Sequence, residues 1–179
     1  MSELVASRNK RKKTALLVIL ISFLSIVVIG IGLGFLFYVH SFERAIINGS
    51  SMSPTLNSGD QVLFKKNAGI KRGDIVLFDI TNIKSDTTGL LVKRVIAVEN
   101  DRVEIKDGFV YVNGKKLDED YISGKQTEII YEKYNNLVVP KGTVYILGDN
   151  RQPAGSIDSR VLGPIDLKRI KGRMALKLF

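Results

Sequence analysis

From Thr14 to Val39 the chain reads T-A-L-L-V-I-L-I-S-F-L-S-I-V-V-I-G-I-G-L-G-F-L-F-Y-V, 26 residues without a charge. A helix of about 20 residues crosses the hydrocarbon core of a bilayer, so this run is long enough to span with some tilt. A cleaved leader would have an apolar stretch of about 7–15 residues followed by a small-x-small site. This run is longer and leads into H-S-F with no small pair, so the sequence predicts a retained transmembrane helix over 14–39. Arg8, Lys10, Arg11, Lys12 and Lys13 precede it, and only Arg44 follows closely. The positive-inside rule then makes 1–13 a basic cytoplasmic tail and places 40–179 outside the cell membrane, with Tyr38 as an interfacial anchor. Ser51 lies twelve residues beyond Val39, a reach of at most about 40 Å, so it is expected to work close to the lipid surface.

The 179 residues contain no cysteine and one histidine, His40, which excludes a cysteine nucleophile, a disulfide and a His/Cys metal site. The net charge of +9 is concentrated at the N-terminus, because the chain from His40 onward carries only +5. No basic stripe interleaved with aromatics marks the outer part, so a nucleic-acid partner is not expected.

Beyond the apolar run the helical periodicity gives way to short β-rich segments. They are Gln61–Lys65, Asp74–Ile80, Leu90–Val98, Arg102–Ile105, Phe109–Val112, Leu137–Val139 and Thr143–Leu147. Asp107-Gly108 and Asn113-Gly114 are hairpin signals. The predicted fold is mostly β: an antiparallel sheet domain behind one N-terminal helix, with a small cap insertion over about 107–136.

Three stretches have the residues for chemistry. G-S-S-M-S-P-T-L, Gly49 to Leu56, offers serine hydroxyls but no neighbouring histidine to take a proton. L-L-V-K-R-V-I-A-V, Leu90 to Val98, puts Lys93 and Arg94 inside an apolar strand. One reading is an edge strand whose charges reach solvent. The other makes Lys93 a base, since desolvation among apolar neighbours such as Leu91, Val92 and Val95 lowers a lysine pKa from about 10.4. With no other base available, a serine nucleophile here would be served by a lysine. G-D-N-R-Q-P-A-G-S-I-D-S-R, Gly148 to Arg160, is either a simple turn or a loop of fixed shape held by its two Asp-Arg sets.

Together S-M-S-P-T-L with G-D, R-G-D-I-V-L-F, K-R-V-I-A and G-D-N-R…S-x-D-S-R resemble the type I signal peptidases, in the compact Gram-positive form. These are membrane-anchored serine endopeptidases that remove signal peptides from exported preproteins and need no cofactor. The resemblance implies Ser51 as nucleophile and Lys93 as general base. It gives Ser156 the task of orienting the lysine, Asp158 and Arg160 a supporting ion pair, and Asp149 and Asn150 the bracing of the same loop. The Ser51 N–H would serve the oxyanion. Gly49 stands where some members carry a second, serine donor. Ile47, Met52, Leu56 and Val92 would line shallow pockets for small side chains.

The loop between G-D-N-R and S-x-D-S-R holds four residues where the family usually has two. Q-P-A-G is expected to bulge outward, with φ fixed at Pro153 and Gly155 taking a conformation closed to other residues. Two rivals remain at the level of sequence. Self-cleaving repressors share serine–lysine chemistry but carry a DNA-binding domain and no anchor. A non-catalytic or narrow-substrate relative would serve surface-protein or pilus assembly.

Overall fold

The computed structural model describes residues 2–178 except 82, 84–87, 125 and 153–154, with side chains from residue 15 onward. It separates into two compact units, 1–41 and 42–179. In the first, helix α1 covers Ser2–Ser41, so the basic segment is helical as well as the apolar one. Its part from Ala15 to Ser41 has a mean hydropathy of 3.0, long and apolar enough to cross a membrane.

The second unit is built from β1 (Phe42–Ile46), β2 (Gln61–Lys65), β3 (Ile75–Asp79), β4 (Leu90–Val98), β5 (Arg102–Lys106) and β6 (Phe109–Val112). It continues with β7 (Lys115–Lys116), β8 (Leu137–Val138), β9 (Thr143–Leu147), a one-turn helix α2 (Ser159–Leu162), β10 (Ile165–Asp166) and β11 (Ile170–Lys177). Among the described residues these strands form two antiparallel sheets. The larger has the order β1-β2-β11-β3-β4-β9-β10 and the smaller β7-β6-β5-β8. The expected mostly-β, antiparallel architecture is thus the observed one.

Both hairpin signals fold as turns with positive φ at two successive residues, Asp107 (52°) with Gly108 (81°) and Asn113 (53°) with Gly114 (75°). Such turns match the twist of the strands they join. The expected cap boundary at 107 cuts through this hairpin. The small sheet begins at β5, because Val103 and Ile105 pair with Val112 and Val110. Those four residues pack on Ile96, Ala97, Tyr145 and Leu147 of the large sheet.

Strand β11 lies between β2 and β3, where the sequence signalled nothing. Its I-K-G-R-M-A-L-K mixes helix formers with a glycine. The glycine has a steric reason: a Cβ on Gly172 would sit 2.9 Å from Phe64 Cβ and 3.0 Å from the Lys65 carbonyl oxygen.

Candidate active site

Strand β4 pairs with β3 on one side and β9 on the other. It is therefore central, and the edge-strand reading of Lys93-Arg94 is overturned. Lys93 is 1% exposed. Its Cα partner Val76 and its same-face neighbour Val95 belong to one apolar cluster, against which Leu91 packs. Lys93 Nζ donates to Ser51 Oγ at 2.8 Å and to the Val92 carbonyl oxygen at 2.8 Å. Burial lowers the lysine pKa to about 8; Asp158 and Asp149 oppose the shift, and Arg160 adds to it.

Ser51 follows β1 in a chain of tight turns, Ser53 N–H to the Ser50 carbonyl (3.0 Å) and Leu56 N–H to the Met52 carbonyl (2.9 Å). Met52 and Leu56 are buried with Ile47, Val62, Phe64 and Leu77 and anchor these turns, while Ser51 stays partly exposed. Gly49 has φ +98°, a region that favours glycine, so the missing side-chain donor there has a backbone cause. Among the described residues no acceptor engages the Ser51 N–H, which remains available for an oxyanion.

A cleft of about 310 Å³ opens beside Ser51, lined among others by Ala45, Ile47, Met52, Leu77, Leu91 and Val92. Of the residues expected to line pockets, Ile47, Met52 and Val92 border this cleft. Leu56 is not: its side chain is fully buried in the core under the turn, because the Met52–Leu56 turn points it inward. Gly49 is exposed and off the cleft lining.

The loop from Gly148 to Arg160 follows β9 and holds the rest of the polar network. Asp158 and Arg160 form the expected pair through two hydrogen bonds, at 2.9 and 2.8 Å, and Asp158 also accepts the Gly148 N–H at 3.1 Å. The other Asp-Arg set does not pair with itself. Asp149 takes two bonds from Arg94 (2.9 and 2.6 Å) and one from the Thr55 hydroxyl (2.5 Å). Arg94 lies 3.9 Å from the centre of the Tyr121 ring. Arg151, fully buried, grips Glu119 (3.0 and 2.5 Å) and Thr127 (2.7 Å). Asp149 and Arg151 each thereby find a desolvated partner on another segment, as burial of an ion demands. Asn150 braces the Ser50–Ser51 turn rather than its own loop alone. Its N–H donates to the Ser51 carbonyl (3.1 Å) and its Nδ2 to the Ser50 carbonyl (3.1 Å).

Ser156 is buried, and among the described residues its Oγ finds no hydrogen-bond partner. The expected bond to Lys93 is absent; Val92 supplies the lysine's second acceptor instead. The Ser156 hydroxyl lies against Gly148, where a Cβ would sit 2.5 Å from the Ser51 carbonyl oxygen as well as running into the hydroxyl itself. The lengthened loop closes as a turn, Gly155 N–H to the Gln152 carbonyl at 2.9 Å. Gly155 is not at positive φ. Glycine is needed there because a Cβ would sit 2.8 Å from Asn150 Oδ1. The expectation for Pro153 lies outside the described residues.

Sequence reasoning missed Arg94, Thr55, Tyr121, Glu119, Thr127 and Ser123 as partners of the site. Only Arg94 left a signal: a cation next to Lys93 in a central strand requires a buried anion.

The family model "Signal peptidase, peptidase S26" matches residues 20–179. The chain is 36% identical over 164 residues to Signal peptidase I of Bacillus licheniformis, covering 86% of this chain and 85% of that one. It is 37% identical over 151 residues to Signal peptidase IB of Staphylococcus aureus strain Mu50, with coverage of 74% and 75%. A crystal structure of a signal peptidase I from Enterococcus faecalis V583 aligns at 29% identity and a TM-score of 0.49, over 60% of this chain and 98% of the other.

Proposed function

Because the chain belongs to the signal peptidase family, peptidase S26, we propose that it cleaves signal peptides from preproteins with Ser51 as nucleophile and Lys93 as general base. The observation that carries this reading is the 2.8 Å approach of a buried lysine, its pKa lowered to about 8 by that burial, to a partly exposed serine hydroxyl. The apolar helix anchors the enzyme with its N-terminus in the cytoplasm, by the charge rule already given.

In the neutral state Lys93 Nζ has one lone pair and two protons. One N–H donates to the Val92 carbonyl oxygen and helps turn the lone pair toward Ser51. Ser51 Oγ then attacks the scissile carbonyl carbon while its proton passes to Nζ. The oxyanion is met by the Ser51 N–H, which is worth a few kcal/mol when preorganised. Collapse breaks the C–N bond, and the ammonium gives its proton to the leaving amine. A water, deprotonated by the same lysine, releases the acyl chain and restores the serine. The substrate chain lies along the apolar cleft, where Ile47, Met52 and Val92 favour small side chains at the cut.

With its side chain rotated about χ1, Ser156 Oγ accepts a hydrogen bond from the second amine N–H, which gives the unpartnered hydroxyl an acceptor role. Ser156→Ala should lower kcat for preprotein cleavage about tenfold or more, read from initial rates at saturating substrate. An unchanged kcat would remove Ser156 from the mechanism.

The direct test of the function is incubation of the detergent-solubilised protein with a preprotein, followed by gel mobility and N-terminal sequencing of the product. Loss of the leader at one small-residue site is the expected result. No cleavage of any preprotein would favour an assembly factor that has kept the fold.

A further inference from the structure

Preorganisation of the oxyanion donor depends on what holds one peptide plane. The Ser50 carbonyl and the Ser51 N–H belong to the same planar unit and point in opposite directions. Whatever fixes the carbonyl therefore aims the N–H. Two donors fix it: the Ser53 N–H at 3.0 Å, from within the turn, and Asn150 Nδ2 at 3.1 Å, from the loop after β9.

The Asn150 carboxamide is oriented in its turn by what meets its other end. Oδ1 lies 3.2 Å from the Gln152 N–H and 3.2 Å from the Ser123 hydroxyl. With donors on that side, the amide nitrogen is the end left to face Ser50. Ser123 comes from neither catalytic segment. It sits between β7 and β8, and its backbone brackets Asn150 in a parallel bridge: its N–H donates to the Asp149 carbonyl (2.9 Å) and its carbonyl accepts the Arg151 N–H (3.0 Å). Its hydroxyl also lies 3.2 Å from the Ser53 carbonyl oxygen. One side chain thus touches the nucleophile turn and the G-D-N-R loop together. The segment carrying it is pinned nearby by the buried Glu119–Arg151 pair and by Tyr121 on Arg94.

We propose that Ser123 is a positioning residue that, through Asn150, aims the Ser51 N–H at the oxyanion; this rests on the Ser51–Lys93 reading. It does not touch Lys93, so it acts on the transition state without altering the base.

The test compares wild type, Ser123→Ala, Ser123→Thr and Ser51→Ala as full-length solubilised proteins. Ser123→Ala should lower kcat about tenfold with KM and the pH profile unchanged, since a misaimed donor costs less than a deleted one. A peptide aldehyde, whose adduct with Ser51 carries a tetrahedral oxygen, should lose affinity in parallel. A non-cleavable peptide of the same side chains should bind as before. The ratio of these two affinities does not depend on the fraction of folded protein, so a stability effect cannot imitate the result. Ser123→Thr, which keeps the hydroxyl, should recover most of the loss. If Ser51→Ala is dead and Ser123→Ala keeps both the wild-type kcat and the wild-type affinity ratio, the role of Ser123 is wrong and the dyad stands. If Ser51→Ala still cleaves, the underlying reading is what fails.

Discussion

Ser51→Ala should retain less than about one-thousandth of the wild-type rate on a preprotein while unfolding at the same urea concentration. The neighbouring serines cannot substitute. Ser53 spends its hydroxyl on Asn57 Oδ1 at 2.8 Å, and Ser50 is exposed and makes no bond to the lysine. Of these three serines, Ser51 is the one whose hydroxyl is hydrogen-bonded to Lys93, and removing it leaves a base with nothing to activate. The turn itself rests on buried Met52 and Leu56 and on backbone bonds that alanine keeps, so stability should not move. Activity above a trace, measured by the appearance of the mature N-terminus, would exclude Ser51 as the nucleophile.

Lys93 should separate activity from stability. Lys93→Arg should be as inactive as Ser51→Ala, because guanidinium does not release a proton in this pH range. Lys93→Met keeps the length and removes the charge. It too should be inactive, yet more stable than wild type at neutral pH. The sign follows from the linkage. The native lysine titrates near 8 and the unfolded one near 10.5, so below pH 8 both are charged and the native state bears the full desolvation cost. That cost is on the order of 3 kcal/mol. It declines between pH 8 and 10.5, where the unfolded chain still holds the proton, and vanishes above. The gain from Lys93→Met should therefore be greatest below pH 8 and shrink toward pH 10.5, as read from urea midpoints across that range. A Met variant less stable than wild type at pH 7 would mean that the lysine's hydrogen bonds outweigh its burial.

How far the sequence disclosed the molecule depends on the range of the interactions involved. Local signals were legible. The uncharged run ends as a helix, β4 and β9 have the expected bounds, and both X-Gly pairs make the turns their φ preferences require. Lys93 stood out because a lysine amid apolar, alternating neighbours conflicts with the pattern around it. β11 did not, since its place between two strands is set by pairing with β2 and β3 rather than by its own residues. The same holds within the site. Asp158 finds its arginine two residues away and was predictable, whereas Asp149 reaches back 55 residues to Arg94 and Asn150 reaches back to Ser50. Leu56 shows the remaining difficulty: the family resemblance suggested it for a pocket wall, but the direction of its side chain was fixed by the turn.

The claim that a buried, neutral lysine activates Ser51 is tested most directly by the pH dependence of kcat/KM for preprotein cleavage, which reports the ionisation of the free enzyme's essential base. Activity should rise with pH along a single limb centred near 8, because the lysine must lose its proton before it can accept the one from Ser51. A limb centred near 10.4, where an ordinary solvated lysine titrates, or a rate independent of pH between 6 and 10, would contradict it.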